Sequence, residues 1–330
     1  MKYLHNGKEI EVRAYAGSTG RDLHPDIPLT NLTIGYKPVG LIAPLIFPIV
    51  SVENETGTYY VWEKSEALRI HDAARARGDE ANRINIQVSS AQYAIKNFAL
   101  AADVPSEDLA NADAALRLGQ GYSEAVVDGL NLAWEDRIAV LLTTPANHSS
   151  NSALTNAWND QVNGDPIEDW NIGQRAIQRT TGYLPNLTVF GFHAWDRFSR
   201  HPKVINFIRG QGDTAGGGRV SMDQAAKALM PGGGRVLVGF GVKNTAAEGA
   251  TASYTDIWST ACVIQFVQPN PGIMKPSAGY TFQWTPAGLP GPLAVEQYYN
   301  QRPKTQSYEV HQFQDERVTG TDLSFLITGT

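Results

Sequence analysis

The stretch YSEAVVDGLNLAWEDRIAVLL, residues 122–142, carries the strongest helical pattern in the sequence. Apolar residues recur every four positions, at Tyr122, Val126, Leu130, Trp134, Ile138 and Leu142, and Ala133 and Leu141 widen the stripe. This spacing places one apolar face along a helix. Because Gly119 and Gly121 precede the pattern and Pro145 follows it, we predict a helix from about Ser123 to Leu142. At about 1.5 Å per residue it would be roughly 30 Å long.

Capping signals and breaks in the hydrophobic pattern predict the other elements. Asp165 and Glu168 have capping-box spacing, so a second helix should begin at Pro166 and end near Gly182. The remaining predictions are two short helices within 194–208 divided at Pro202, a helix opened by the capping pair Ser221 and Gln224 and stopped by Pro231, and strands at 187–190, 235–242, 261–267, 280–284, 308–313 and 323–327. In strand 235–242, alternation places Val236, Val238, Phe240 and Val242 on one face. The predicted fold class is α+β.

Residues 1 to about 50 read as an irregular arm. Glycine and proline recur through it, at Gly17, Gly20, Pro25, Pro28, Pro38, Pro44 and Pro48, and no helical period lasts more than a turn. Its end is nevertheless apolar, from Leu41 to Ile49, whereas a disordered tail would be polar. We therefore expect the arm to lie across another surface, either of its own chain or of a neighbour.

An extended hairpin is predicted after the arm. Residues 58–62, TYYVW, favour a strand, and residues 84–88, INIQV, alternate cleanly. The segment between them is charged and has almost no residues that form a core. Because a long two-stranded projection is marginally stable alone, this pattern indicates a partner surface.

The bulk composition argues against several classes of protein. The 330 residues suffice for one large domain or two closely associated ones. The single cysteine, Cys262, excludes an internal disulfide and favours a reducing compartment. No stretch approaches the roughly 20 apolar residues that span a bilayer, so we expect no membrane association. The net charge of −6 argues against a dedicated nucleic-acid binder, but not against a container whose wall does not adhere to packed DNA.

The sequence contains no recognisable catalytic motif. Residues 210–215, GQGDTA, match a dinucleotide-binding pattern, but a helical segment precedes them and three glycines follow, which favours a loop. His193, Asp196 and His201 are close in sequence, yet their spacing is not that of a zinc helix. Cys262 lies in an apolar strand, where a thiol is inert and its pKa is raised. We therefore predict no catalytic, cofactor-binding or metal site, and no enzymatic activity.

The order of the elements resembles that of the major capsid proteins of tailed bacteriophages, in which an arm leads to an extended hairpin, a long helix, and a mixed domain closed by C-terminal strands. Several short stretches add to the resemblance: 103–108 (DVPSED), 111–113 (NAD), 132–135 (LAWE), 181–186 (TGYLPN), 195–196 (WD), 201–204 (HPKV), 235–239 (RVLVG), 243–246 (KNTA) and 256–258 (DIW). The resemblance covers nearly the whole chain and rests on the order of these stretches.

The resemblance implies an icosahedral shell built from hexamers and pentamers of one subunit, with a fold shared by herpesvirus capsid floors and encapsulins. It implies an N-terminal arm (1–50), an extended loop over the neighbouring subunit (51–97), a peripheral domain with the long helix (98–182 and 271–330) and an axial domain (183–270). The expected inter-subunit contacts are Phe47, Ile49, Trp62, Lys64, Arg69, Arg75 and Arg77. The arginines would pair with acidic surface on the neighbour. Nothing matches Lys64 to the lysine that cross-links subunits in some relatives.

The resemblance also implies partners and a location. The partners are further copies of the chain, a separate scaffolding protein during assembly, a portal protein, and packaged double-stranded DNA bound without sequence specificity; a decoration protein is left open. The expected location is the virion capsid, assembled in the host bacterial cytoplasm. The alternatives are an encapsulin-like compartment that holds an enzyme, a tail or neck protein, and a metal-dependent enzyme that uses His193 and Asp196.

Overall fold

The computed structural model describes residues 2–5, 8–11, 41–61, 89–111, 115–210, 218–247, 249–272 and 275–330, together with isolated positions between 68 and 83. Its contacts divide the chain into two compact units. The smaller unit comprises residues 1–36, 99–127 and 286–312, and the larger unit comprises residues 37–98, 128–285 and 313–330. The boundaries of the four regions that the resemblance implies stay a prediction.

The described elements are as follows. The helices are α1 (Ala43–Ile46), α2 (Ser106–Asn111), α3 (Ala115–Thr143), α4 (Pro166–Thr181), α5 (Phe192–Arg200), α6 (Pro202–Gly210) and α7 (Met222–Leu229). The strands are β1 (Lys2–His5), β2 (Lys8–Glu11), β3 (Ile49–Val52), β4 (Thr56–Val61), β5 (Ser89–Ala94), β6 (Lys96–Pro105), β7 (Ser150–Ala153), β8 (Leu187–Gly191), β9 (Arg235–Gly239), β10 (Val242–Asn244), β11 (Tyr254–Asp256), β12 (Cys262–Gln265), β13 (Gly279–Trp284), β14 (Leu293–Asn300), β15 (Thr305–Val318) and β16 (Ser324–Thr328). This mixture confirms the predicted α+β class.

The larger unit contains a mixed sheet with the strand order β7-β16-β12-β8-β9. β12 is antiparallel to both neighbours, with Cys262 opposite Ile327 on one side and opposite Phe190 on the other. The outer pairs, β16 with β7 and β8 with β9, are parallel. All residues of β8 and β12 are buried, which is typical of strands that are covered on both faces.

Alternation along these strands directs successive side chains into two hydrophobic clusters. On β12, Cys262 and Ile264 join one cluster, and Val263 joins the other. The first cluster is completed by residues of α4, α5, α6 and α7, and the second by residues of α1 and α3. Helices therefore cover both faces of the sheet, giving three layers.

The predicted long helix is confirmed, and its apolar stripe packs as expected within the larger unit. Leu130, Trp134, Ile138 and Leu142 are all buried. Burial of a leucine or isoleucine side chain contributes about 1.5–3 kcal/mol to folding. Tyr122, at the start of the predicted stripe, is instead 37% exposed.

The predicted start of this helix was wrong, because α3 begins at Ala115 rather than near Ser123. Gly119 and Gly121 lie inside the helix rather than before it. A Cβ at position 119 would lie 2.5 Å from the hydroxyl oxygen of Tyr308, so the glycine lets this tyrosine approach the helix backbone within the smaller unit. A glycine that serves close packing looks the same in sequence as one that breaks a helix.

The capping signals were read correctly. The side chain of Asp165 accepts a hydrogen bond from the backbone N–H of Glu168 at 3.2 Å, and α4 ends at Gly182, whose φ is 76°. Ser221 and Gln224 form the predicted capping box at the start of α7. The helices α5 and α6 are divided at Pro202 as predicted.

The predicted strand 235–242 is shorter than expected. β9 ends at Gly239, where the indole ring of Trp258 packs against the backbone; a Cβ at position 239 would lie 2.0 Å from Cδ1 of Trp258. Phe240 is 47% exposed and Val242 is 46% exposed, so they do not share the buried face of Val236. Val242 instead begins β10, which pairs with β11.

A second group of strands in the larger unit surrounds β13. β13 is antiparallel to residues 314–318 of β15, with Phe282 opposite Asp315, and parallel to β3, with Thr281 opposite Ile49. From Ile49 onward, the end of the predicted arm therefore forms a strand in a sheet of its own chain.

In the smaller unit, residues 305–312 of β15 pair with β14 from Leu293 opposite Gln312 to Asn300 opposite Thr305. Ser106, at the start of α2, donates from its backbone N–H and its hydroxyl to the carbonyl oxygen of Lys304, at 3.0 and 2.6 Å. These bonds attach α2 to the turn between the two strands.

Candidate assembly surfaces

The strands β4 and β5 form a hairpin within the larger unit. The two strands are antiparallel, from Thr56 opposite Ala94 to Val61 opposite Ser89. The strand β4 confirms the strand that was predicted at residues 58–62, and it ends at Val61. The predicted return strand, 84–88, lies outside the described residues, and the described partner of β4 is β5.

Aromatic side chains fix the base of this hairpin to β13. Tyr93 stacks on Phe282 with ring centroids 4.9 Å apart and planes 16° apart, and Tyr59 contacts the same ring at 5.1 Å. The backbone N–H of Ala94 donates to the Asp315 carboxylate at 3.1 Å. Aromatic pairs of this kind contribute about 0.5–1.5 kcal/mol beyond the area that they bury, so the base is held in a defined direction.

An apolar groove of about 420 Å³ lies beside the base of the hairpin. It is lined by Val50, Val52, Thr58, Tyr59, Tyr60, Tyr93, Pro271, Gly272, Lys275, Tyr280 and Phe282. Tyr60 is 60% exposed. Burial raises the pKa of Tyr59 and of Tyr280, so both phenols stay neutral at physiological pH. The groove is therefore suited to apolar side chains rather than to charged ones.

The hairpin's distal part is exposed wherever it is described. Every described residue from Leu68 to Arg83 is exposed in the single chain, and Ile70 is 97% exposed. Arg83 pairs with Glu80 at 3.7 Å, with both side chains almost fully in solvent. An exposed ion pair of this kind adds little stability to the fold.

The residues predicted to contact a neighbouring subunit fall into three groups. Arg69 and Arg77 lie on the exposed distal part of the hairpin, and Ile49 is 43% exposed on β3. Phe47 is only 1% exposed and packs in the chain's own core, where a Cβ on Gly279 would touch its ring. Trp62, Lys64 and Arg75 lie outside the described residues. A fully buried side chain has no surface to offer a neighbour, so we leave Phe47 out of the proposed interface.

A second exposed apolar patch was not predicted from the sequence. Phe192, Phe240, Val242 and Tyr254 are each exposed, and the first two are in contact. The centroids of these two rings lie 5.7 Å apart. Alternation in 235–242 predicts that Phe240 and Val242 share one face with Val236 and Val238. The signal that predicts the exposure of Phe240 and Val242 is Gly239, where the strand ends.

The residues of the alternative metal-enzyme hypothesis do not form a common site. Nε2 of His193 lies 2.8 Å from the carboxylate of Asp256, whereas Asp196 pairs with Arg200 and Arg219. His201 instead accepts at Nδ1 from the backbone N–H of Lys203 at 3.3 Å. Across the described ranges, no group of three or more histidine, cysteine or acidic residues is placed to hold a metal ion.

The glycine-rich motif at 210–215 and Cys262 do not form functional sites in the described part of the structure. A helix, α6, precedes Gly210, rather than the strand that a dinucleotide-binding turn requires. Residues 211–217 lie outside the described residues. Cys262 is fully buried, and burial raises the pKa of its thiol well above the ordinary value, as predicted. None of the helices in the described part is both long and apolar enough to cross a membrane.

Comparison with known proteins identifies relatives over most of the chain. The sequence is 27% identical over 277 residues to a major capsid protein of Burkholderia phage BcepMu, which covers 78% of this chain and 83% of the relative. A crystal structure of a phage-related protein from Bordetella bronchiseptica RB50 superposes with a TM-score of 0.71 at 26% identity, and covers 92% of this chain and 97% of that one.

The fold recurs at lower sequence identity. The capsid structure of cyanophage P-SCSP1u superposes with a TM-score of 0.58 at 11% identity over 98% of this chain and 96% of that one. No protein-family model matches the sequence. In sequence and in fold, the chain is a relative of the major capsid proteins of phages.

Proposed function

We propose that the chain is the major capsid protein of a tailed phage, which assembles into hexamers and pentamers of an icosahedral shell around double-stranded DNA. The observation that carries this proposal is similarity to a phage major capsid protein over 78% of the chain, joined to a capsid fold over 98% of it. Its role in the virion is structural, and we infer that it has no enzymatic activity.

The hairpin is the element that we propose reaches over the neighbouring subunit. The stack of Tyr93 on Phe282 holds its base, while all of its described distal residues are exposed to solvent in the single chain. Burial of an exposed isoleucine such as Ile70 would stabilise the complex by about 25 cal/mol for each Å² of apolar surface removed from water. A neighbour's surface would supply that burial.

Charge on the hairpin would set the register of this contact. Residues 68–83 carry four arginines (Arg69, Arg75, Arg77 and Arg83) and three acidic residues (Asp72, Asp79 and Glu80), and we propose that the arginines pair with acidic groups on the neighbour. Charged pairs across an interface contribute more to specificity and rate of association than to affinity. The apolar positions Ile49 and Trp62 are proposed to supply desolvated contact, and Lys64 and Arg75 to lie in the same interface.

Further partners are proposed from this role. They are a separate scaffolding protein, a portal protein, and packaged DNA held without sequence-specific contacts, with assembly in the host cytoplasm. The net charge of −6 supports a wall that does not adhere to DNA. We keep the four-region division, with an axial domain at 183–270, as part of this proposal.

Negative-stain electron microscopy of the full chain, expressed alone and with candidate scaffolding proteins, tests the proposal. Closed shells of uniform diameter are expected, and their size gives the number of subunits. Shells that retain a specific enzyme would favour a protein compartment instead. Rings or tubes would indicate a tail or neck protein, and small discrete oligomers under every condition would contradict a shell of any kind.

A further inference from the structure

A buried carboxylate on α3 joins three parts of the larger unit. Glu135 is fully buried, and both of its oxygens accept hydrogen bonds. Oε2 accepts from the backbone N–H groups of Ile42 and Ala43 at 2.9 and 2.6 Å, and Oε1 accepts from the indole N–H of Trp258 at 2.5 Å. The carboxylate therefore connects the long helix, the segment that enters α1, and the turn after β11.

All three partners of this carboxylate are donors. No cationic side chain within the described ranges is hydrogen-bonded or ion-paired to Glu135, whereas its neighbour Asp136 pairs with Lys243 at 2.6 Å. Burial raises the pKa of the Glu135 carboxyl, and the three hydrogen bonds oppose this rise. An unpaired buried charge costs several kcal/mol of desolvation, so its retention points to a specific role.

Aromatic and backbone groups pack close to the Glu135 side chain and its partners. Trp258 packs against the backbone at Gly239, and a Cβ at Gly241 would lie 3.6 Å from Cγ of Glu135. The two backbone donors have no alternative strand or helix partner, because they precede the first hydrogen-bonded turn of α1. If the carboxylate is removed, both N–H groups are left buried without an acceptor.

We propose that Glu135 is a latch that fixes the backbone of residues 42–43 against α3, and that it couples the position of residues 41–47 to the Trp258 turn. The latch holds the backbone of residues 42–43 against α3, while the side chains of Ile42, Ala43, Ile46 and Phe47 also pack in the cluster that covers one face of the central sheet. Loss of the carboxylate loosens the backbone at residues 42–43, while the strand pairs of β12 with β8 and β16 do not involve it. The latch is a property of the single subunit and does not rest on the proposed function.

Hydrogen–deuterium exchange of unassembled full-length subunits tests the latch. Glu135→Gln keeps the size of the side chain but places an N–H₂ group against donors. Because hydrogen bonds to charged groups are the strong ones, exchange in peptides covering residues 41–48 should accelerate roughly 10- to 100-fold. Exchange in β8 and β12 should stay unchanged, and so should that of the control variant Asp136→Asn.

A second variant keeps the test decisive if Glu135→Gln fails to fold. Glu135→Asp retains the charge but shortens the side chain by one methylene, so it reaches one set of donors at most. It should also accelerate exchange in 41–48 and shift the fluorescence of the tryptophans. Unchanged exchange in 41–48, or an equal acceleration throughout the sheet, would overturn the latch. Because subunits are measured before assembly, neither result depends on whether the chain forms shells.

Discussion

Arg137 on α3 and Glu316 on β15 form a partly buried ion pair in the larger unit, with Nη2 of the arginine 2.9 Å from Oε1 of the glutamate. The guanidinium carbon also lies 3.7 Å from the ring centroid of Phe98, and Gln314 donates to the same carboxylate oxygen at 2.8 Å. The arginine thus joins a helix to two strands by charge and by ring contact.

Replacing Arg137 should destabilise the fold more than replacing an exposed arginine. Arg137→Met leaves a carboxylate that is only 6% exposed without its cation, and we expect the free energy of unfolding to fall by about 1–3 kcal/mol. Urea denaturation measures the change. Arg175→Met is the control, because its ion pair with Glu168 is exposed and should contribute under about 1 kcal/mol. Equal losses for the two variants would contradict this explanation.

His148 should make stability depend on pH. Its Nε2 lies 2.8 Å from the carbonyl oxygen of Leu142 and its Nδ1 lies 2.8 Å from the hydroxyl of Ser324. The carbonyl can only accept, so Nε2 donates, and the hydroxyl of Ser324 can donate to Nδ1 when the ring is neutral. Burial lowers the pKa of His148, so folding favours the neutral form. This stability is present above the ordinary pKa of about 6.5 and is lost as the pH falls, by at most about 1.4 kcal/mol per pH unit.

The measurement for His148 is urea denaturation of wild-type protein and of His148→Gln at pH 7.5 and at pH 5.5. The variant should lose less stability between the two pH values, since its side chain does not titrate. A variant with the same pH dependence as the wild type would show that other groups cause the effect.

Charge reversal on the hairpin should hinder assembly while the subunit stays folded. The change Arg75→Glu with Arg77→Glu would place negative charge against the acidic surface that we propose on the neighbour. The yield of closed shells, measured by sedimentation, should fall at least several-fold, with the melting temperature of the subunit unchanged. The matched control is Arg175→Glu with Arg179→Glu on α4. Unfolding of the isolated subunit would refute the interface assignment.

Loss of the aromatic anchor should loosen the hairpin. Phe282→Ala removes the ring that both Tyr59 and Tyr93 contact, and we expect a loss of about 3–5 kcal/mol in the free energy of unfolding. Hydrogen exchange in β4 and β5 should accelerate more than in β8. Phe313→Ala, which removes a ring contact with Trp284, is the control and should affect β4 and β5 less.

Elements set by local signals could be read from the sequence. The start and end of α4 follow from Asp165 and Gly182, and the division of α5 from α6 follows from Pro202. The buried stripe of α3 follows from its four-residue spacing. In each case the deciding atoms lie within a few residues of one another, so the pattern contains the whole cause.

Features set by distant residues could not be read in this way. The helix passes through Gly119 because Tyr308 packs there, and β9 stops at Gly239 because Trp258 packs there. Likewise, the groove beside the hairpin depends on the parallel pairing of β3 with β13, whose partners are more than 200 residues apart. Pairing over such distances leaves no periodic signal in either strand.

The place of β16 in the central sheet has a consequence for synthesis. This strand, Ser324–Thr328, lies between β7 and β12, although it is translated about 60 residues after β12 and about 170 after β7. While the ribosome is still making the chain, the sheet has a gap at this position, and contacts of such long range form slowly. A nascent chain therefore cannot complete this sheet until β16 has emerged from the ribosome. A chain that stops before β16 lacks the strand that joins β7 to the rest of the sheet.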